Sequence, residues 1–219
     1  MKKLVFIAGF LAFAYVTSCS SDSSDGPDIQ QEEEETVDEV TQINDAAFEQ
    51  YLVDFGFDDV VDGSVLTRNI ENVEDLVLNN EGISDLTGIE DFKNLENLWA
   101  NDNSLTSLDV SSNTRLKFIF VENNQLTTLD VANLTDLEKI GAANNQLTAI
   151  NVLNNLALQQ LTIPNNNVNA IDVANNSQLN NFSVVDNPLT CIKVSASQLG
   201  NIPAQWEKDE DDTYATTCN

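Results

Sequence analysis

Residues 116–131 read LKFIFVENNQLTTLDV, and the spacing of their apolar residues and asparagine returns every 21 residues along the chain. Leu116, Ile119, Val121, Asn124 and Leu126 repeat Leu95, Leu98, Ala100, Asn103 and Leu105 upstream. Downstream come Leu137, Ile140, Ala142, Asn145 and Leu147, then Leu158, Leu161, Ile163, Asn166 and Val168, then Leu179, Phe182, Val184, Asn187 and Leu189. Each copy adds a second apolar pair: Leu108 with Val110, Leu129 with Val131, Ile150 with Val152, Ile171 with Val173, and Ile192 with Val194. A looser copy precedes them, formed by Val73, Leu76, Leu78 and Ile83, with Glu81 at the asparagine position and one extra residue before the next copy.

Equal spacing means equal places in stacked coils, because one short unit cannot bury its own apolar face. Within a strand, alternate side chains point to opposite sides, so the apolar residue of each pair faces the interior and its neighbours face out. With only 21 residues per coil there is no room for a full helix opposite the main sheet. The second apolar pair is therefore predicted to form a short strand or 3₁₀ turn. The spacing matches the leucine-rich-repeat consensus L-x-x-L-x-L-x-x-N-x-L. The fold class that follows is an α/β solenoid with one parallel β-sheet, mostly β, with a short N-terminal helical cap. The acidic start, the repeats rich in NNQLT and LDV and the Cys-bearing tail together resemble the bacterial surface repeat proteins that include internalins. That resemblance covers residues 44–218 and implies a surface protein that binds a macromolecule.

At Asn103, Asn124, Asn145, Asn166 and Asn187 the chain must leave the strand and turn. Asparagine tolerates unusual backbone angles there, and its amide can bond unpaired backbone groups, so a ladder of buried amides is expected, with a structural role.

The outward residues of the main strands form columns. The middle one reads Val77, Trp99, Phe120, Gly141, Thr162 and Ser183; Asn97, Phe118 and Lys139 flank it on one side and Asn101, Glu122 and Ala143 on the other. A cluster of Trp99, Phe118 and Phe120 exposed on a soluble chain has the character of an interface anchor. Alternatively, the N-terminal cap or a loop folds over it. The candidate binding residues are Trp99, Phe118, Phe120, Val77, Asn97 and Lys139.

The N-terminus carries Lys2 and Lys3, then an apolar run at residues 4–16, then Thr17, Ser18 and Cys19. The run is too short for a membrane-spanning helix of about 20 residues and reads as a removable secretion signal over residues 1–18. Val16, Thr17, Ser18 and Cys19 resemble the lipobox of bacterial lipoproteins, which implies acylation of the Cys19 sulfur and anchorage of the chain in the outer membrane. An ordinary signal followed by an unrelated Cys is the alternative. Residues 19–44, acidic and nearly free of large apolar side chains, read as a flexible tether. Their composition also loosely resembles the export tags of surface-exposed lipoproteins.

A cap is expected over residues 45–72, where Ala47, Phe48, Tyr51, Leu52 and Phe55 recur at helical spacing behind a capping Asn44 or Asp45. The repeats occupy residues 73–190 and a C-terminal cap residues 191–219. With Cys19 lipidated, Cys191 and Cys218 remain as a pair, expected to form a disulfide that closes the C-terminal cap in an oxidising compartment, the alternative being two reduced thiols. Trp206 is expected to cover the last coil.

A formal net charge of −27, which becomes −29 once Lys2 and Lys3 leave with the signal, excludes nucleic acid as a partner. Asp58, Asp59 and Asp62 before Gly63 are hard oxygen donors without a standard calcium-loop spacing, so they read as a solvated turn, as does the run Asp209 to Asp212. The chain has no His, no Gly-rich phosphate loop and no metal quartet. Asp109, Asp130 and Asp172 recur in one repeated context and read as turn residues. No catalytic residue, metal or cofactor follows from these observations. The function expected is therefore non-enzymatic binding of a protein or glycan. Alternatives are a structural envelope spacer or assembly subunit and, least favoured, a carboxylate-dependent hydrolase.

Overall fold

The computed structural model describes residues 38–218. Cys19, the apolar leader and the acidic segment through residue 37 lie outside the described residues. From residue 38 the chain builds a cap from β1 (Val40–Gln42), α1 (Ala46–Asp54), β2 (Ser64–Leu66) and α2 (Thr67–Ile70). The coils follow, each contributing one strand to the main sheet: β3 (Asp75–Val77), β4 (Asn97–Trp99), β5 (Phe118–Phe120), β6 (Lys139–Gly141) and β7 (Gln160–Thr162). Beyond β8 (Ile171–Asp172) come β9 (Asn181–Ser183), β10 (Cys191–Lys193), α3 (Ala196–Leu199), β11 (Gln205–Glu207) and β12 (Thr213–Ala215).

The main sheet is parallel with seven strands in the order β11-β9-β7-β6-β5-β4-β3. Its register aligns Leu76, Leu98, Ile119, Ile140, Leu161, Phe182 and Trp206 in one column. All but Trp206 are completely buried, and Trp206 is 8% exposed. The core is thus one continuous stack of mostly aliphatic side chains running from Phe48 and Leu52 of α1 to the tryptophan.

Two buried amide ladders tie the coils together. In the expected one, Asn124 donates from Nδ2 to Ala100 O (2.9 Å) and Val121 O (3.1 Å), and its Oδ1 accepts the Leu105 N–H at 3.0 Å. Asn145, Asn166 and Asn187 repeat this geometry one coil at a time. The unusual backbone angles fall one residue earlier than expected. Asn80, Asp102, Asn123, Asn144, Asn165 and Asp186 have φ between 55° and 59°. In the coils from Asp102 to Asn165, this left-handed residue turns its own N–H onto a carbonyl of the next coil, as Asp102 does to Glu122 O at 2.9 Å. Sharp turning and amide bonding are therefore divided between two neighbouring residues.

The second ladder, not anticipated, comprises Asn113, Asn155 and Asn176, all fully buried. Asn155 donates to Val131 O (2.9 Å) and Leu134 O (2.6 Å), and Asn176 to Val152 O and Asn155 O (both 2.9 Å). Leu134 interrupts this column, and Gln198 of α3 continues it by donating to Val173 O and Asn176 O at 3.0 and 3.2 Å.

Three further features differ from expectation. The second apolar pair is a strand only in the last coils, where β8, β10 and β12 form a parallel sheet. Leu108–Val110, Leu129–Val131 and Ile150–Val152 bury side chains without regular structure. Residues 40–42, placed in the tether by their acidic surroundings, are instead a strand paired antiparallel with β2, in which Thr41 is buried and bonded to Thr67 and Asp91. The tail also adds β11 and β12, extending both sheets by one strand, with Trp206 placed 24 residues after Phe182 because α3 lengthens the coil.

Both ends are secured by side-chain chemistry. Asp45 caps α1, its Oδ1 accepting the N–H groups of Ala47 (2.9 Å) and Phe48 (3.1 Å), and its Oδ2 takes Ser84 N, Ser84 Oγ and Asp85 N from the first coil. At the other end Cys191 and Cys218 are disulfide-bonded across 27 residues.

Candidate functional site

The outward side chains of β4, β5 and β6 come together as the register requires. Asn97, Phe118 and Lys139 share one column; Val77, Trp99, Phe120 and Gly141 share the next. The Trp99 and Phe120 rings stack with centroids 6.4 Å apart and planes within 10°. Lys139 Nζ stands 4.6 Å over the Phe118 ring, a cation–π contact that shields one face of it. Trp99, Phe118 and Phe120 are consequently half-buried, while Val77 is 47% exposed. Asn97 donates from Nδ2 to Asp75 Oδ1 at 2.6 Å.

The apolar surface does not stop at Val77. Tyr51 of α1 reaches the Val77 backbone with its hydroxyl, and its ring stacks on Phe55, 4.3 Å between centroids. Phe55 is 64% exposed. The stripe from Phe55 through Val77 and Trp99 to Phe120 therefore runs from the cap onto the sheet, and periodicity had no means of adding Phe55 to it.

On the far side of Phe120 the column shrinks to glycine. A methyl group at Gly141 would come within 2.6 Å of Phe120 Cδ1 and would also collide with the Glu122 carboxylate. The missing side chain is what lets the ring and the carboxylate lean together over β6. Glu122 Oε2 is buried there without a hydrogen-bond partner. Burial pushes its carboxyl above the ordinary range, its own backbone N–H opposes this, and the Asp102 charge adds to the rise.

The other acidic positions are engaged in turns. Asp109, Asp130 and Asp172 each accept the N–H two residues on, at 3.0 Å. In the cap, Glu49 is 2% exposed and its Oε1 accepts the N–H groups of Asp62, Gly63 and Ser64 at 2.8, 2.6 and 3.0 Å. Asp58, Asp59 and Asp62 line an open cleft of about 470 Å³ with Arg68 on its wall. Among the described residues, no three His, Cys, Asp or Glu side chains are grouped to hold a metal ion, and no helix is long and apolar enough to cross a membrane.

The acidic run at Asp209 to Asp212 is not a wholly solvated loop. Asp212 is 3% exposed, and Asp209 accepts the Asp186 N–H at 2.9 Å. The run folds inward because Trp206 stacks between Phe182 (5.0 Å) and Tyr214 (5.7 Å), drawing β12 against the last coil.

No protein-family profile and no curated protein matches the chain. Solved structures do. The functional domain of InlJ from Listeria monocytogenes superposes with a TM-score of 0.66 at 24% identity, over 83% of this chain and 45% of that one. An internalin, InlF, from the same organism gives 0.48 at 18% identity, over 79% and 71%. A leucine-rich-repeat protein of Leptospira interrogans gives 0.39 at 22%, over 56% and 38%. The chain spans less than half the length of the InlJ domain. The similarity to InlJ shows a shared fold, a leucine-rich-repeat solenoid with a parallel sheet.

Proposed function

We propose that this chain is a non-enzymatic binding module of a lipid-anchored cell-envelope protein. It recognises a protein, or a glycan, through the outer face of its main sheet. Trp99, Phe118 and Phe120 form the centre of that face, with Val77, Asn97 and Lys139 around them. The observation that carries this reading is the stacked Trp99–Phe120 pair, held by the parallel sheet and left partly exposed. Large aromatic rings fixed by their neighbours lose little freedom on binding and bury much apolar area, the property of residues that dominate interfaces.

The lipid anchor rests on Cys19 as the acylated residue, followed by an acidic tether that holds the solenoid off the outer membrane. The Cys191–Cys218 disulfide supports an oxidising compartment. The InlJ-like solenoid supports a scaffold that offers an extended surface to a macromolecule.

A photo-crosslinking amino acid placed at position 77 or at position 128 of the full chain, on intact cells, tests the proposal. Thr128 lies outside the main sheet on an exposed turn. A discrete adduct from position 77, absent from position 128 and lost with Trp99→Ala, is expected. Equal labelling from both positions, or an adduct indifferent to Trp99→Ala, would contradict it. Protease digestion and glycosidase digestion of the adduct separate protein from glycan.

A further inference from the structure

We infer that the seam between the N-terminal cap and the first coil, where Phe55 and Val77 stand open beside the carboxylates of Asp75 and Glu81, docks a basic polypeptide segment that carries large apolar side chains. This deepens the binding reading above and rests on it. Phe55 is 64% exposed and Val77 47%. Tyr51 joins them, its ring 4.3 Å from that of Phe55 and its hydroxyl bonded to the Val77 backbone. Because Tyr51 is itself buried, the two open side chains rest on a fixed support. The register sets Val77 beside Trp99 and Trp99 beside Phe120, so this face spans about 10 Å across three strands before Phe55 extends it onto the cap.

Both carboxylates are open to solvent. Asp75, exposed on β3 two residues before Val77, accepts the Asn97 amide at 2.6 Å. Glu81 is exposed in the turn after β3 and lies near the Tyr51 hydroxyl, which burial pushes up, the Val77 backbone bond holds down and the Glu81 charge raises further. Among the described residues, neither carboxylate takes part in an ion pair. Lys139 lies three strands away in the column of Asp75, about 14 Å along the sheet, and is committed to the Phe118 ring.

Open apolar side chains flanked by accessible carboxylates are complementary to a segment that sets Lys or Arg beside Leu or Phe. Phe55, Val77 and Trp99 take its apolar groups, Asp75 and Glu81 accept from its ammonium or guanidinium groups, and the aliphatic stems of those cations cover the rim. A second copy of this chain carries the wrong sign. Its formal net charge is −27, and a two-fold contact through the seam would set Asp75 and Glu81 against their own counterparts. A neutral glycan gains nothing from the two charges, and an acidic one is repelled by them. The acidic surface also draws a basic segment in from a distance, an effect that weakens with salt.

The test is a nuclear magnetic resonance titration of the chain with the capped peptide Lys-Leu-Phe-Leu-Arg, with its counterpart carrying Gln at both ends, and with chitohexaose as a neutral glycan. Shifts concentrated at the Phe55 and Val77 amides and the Trp99 indole N–H are expected with the basic peptide alone. Phe55→Ala should raise its dissociation constant about tenfold, the loss of one aromatic anchor. Asp75→Asn combined with Glu81→Gln should raise it about fivefold at low salt, the worth of two exposed charge pairs, and that difference should close at about 1 M salt. Asp130→Asn combined with Asp136→Asn, which removes two exposed charges away from the sheet, should leave it unchanged. Equal response to the uncharged peptide or to chitohexaose, shifts spread over the acidic surface, or no shift at all overturns the inference. So does undiminished binding in the Asp75 and Glu81 double variant, or seam shifts that follow protein concentration without peptide, the mark of a second copy. If it is overturned while Trp99→Ala still abolishes the crosslink from position 77, the basic partner fails and the binding face stands.

Discussion

Asn124 closes on Leu105 of the preceding coil, its Oδ1 accepting that residue's N–H at 3.0 Å from a position 8% exposed to solvent. Leu105 has no other coil carbonyl at that point, so removing the amide strands a buried donor. Asn124→Ala should cost about 2 to 4 kcal/mol in urea unfolding, more than a surface substitution by several-fold.

The second ladder should behave differently. Asn113 donates to Ile89 O and Phe92 O, but those carbonyls also accept the Phe92 and Leu95 N–H groups, and Asn113 Oδ1 is itself unpartnered. Leu134 already fills the same slot one coil later. Asn113→Leu should therefore cost under about 1.5 kcal/mol by the same measurement. A loss equal to that of Asn124→Ala would show that both ladders bear equally on stability.

Asp45 joins helix and solenoid, so Asp45→Ala should cost about 2 to 3 kcal/mol, one N-cap plus the bonds to Ser84 and Asp85. Burial alone would raise its carboxyl, yet the bonds from Ser84, Phe48 and Ala47 hold it below the usual range. A depressed carboxyl stabilises the fold above its unfolded-state value, and that contribution disappears as pH falls through the folded one. Wild-type stability should drop on acidification below about pH 4, and the Asp45→Ala chain should lose less over the same interval. Parallel slopes in the two chains would contradict this.

How much of this was legible depended on whether a signal recurred at the solenoid's period. Leu98, Ile119 and Ile140 showed the core, and the same count placed Trp99 beside Phe120. Asn113, Asn155 and Asn176 were present at that period too, but Leu134 breaks their column, so they did not stand out. The left-handed residues escaped because Asn123 and Asn124 are the same residue type, and composition cannot divide turning from bonding between them. Val40 and Thr41 were read with their acidic neighbours because three residues are too few for a pattern; only pairing with β2 makes them a strand. Glu122 over Gly141 required coordinates, since nothing in a one-dimensional column says which way a carboxylate leans.

At the C-terminus, Trp206→Ala should cost about 3 to 5 kcal/mol, because it removes the lid over Phe182 and the support for Tyr214. Burial first, and then the Asp212 charge, push the Tyr214 hydroxyl up to about 12. A raised tyrosine stabilises the fold below its ordinary value near 10, and stability should decline as pH rises from there through about 12. Spectrophotometric titration should find one tyrosine ionising at the upper end of that window, and Tyr214→Phe should remove it.

Ile119 and Phe120 are adjacent on β5 and face opposite ways, one fully buried and one partly exposed. The central claim is that this alternation separates a core that holds the coils from a face that is free to bind. Thermal unfolding of Ile119→Ala and Phe120→Ala side by side tests it most directly. Ile119→Ala should lose about 2 to 5 kcal/mol and Phe120→Ala about 1 or less, the worth of one ring stack. Comparable losses in both chains would mean that Phe120 belongs to the core, and the binding face would have to be abandoned.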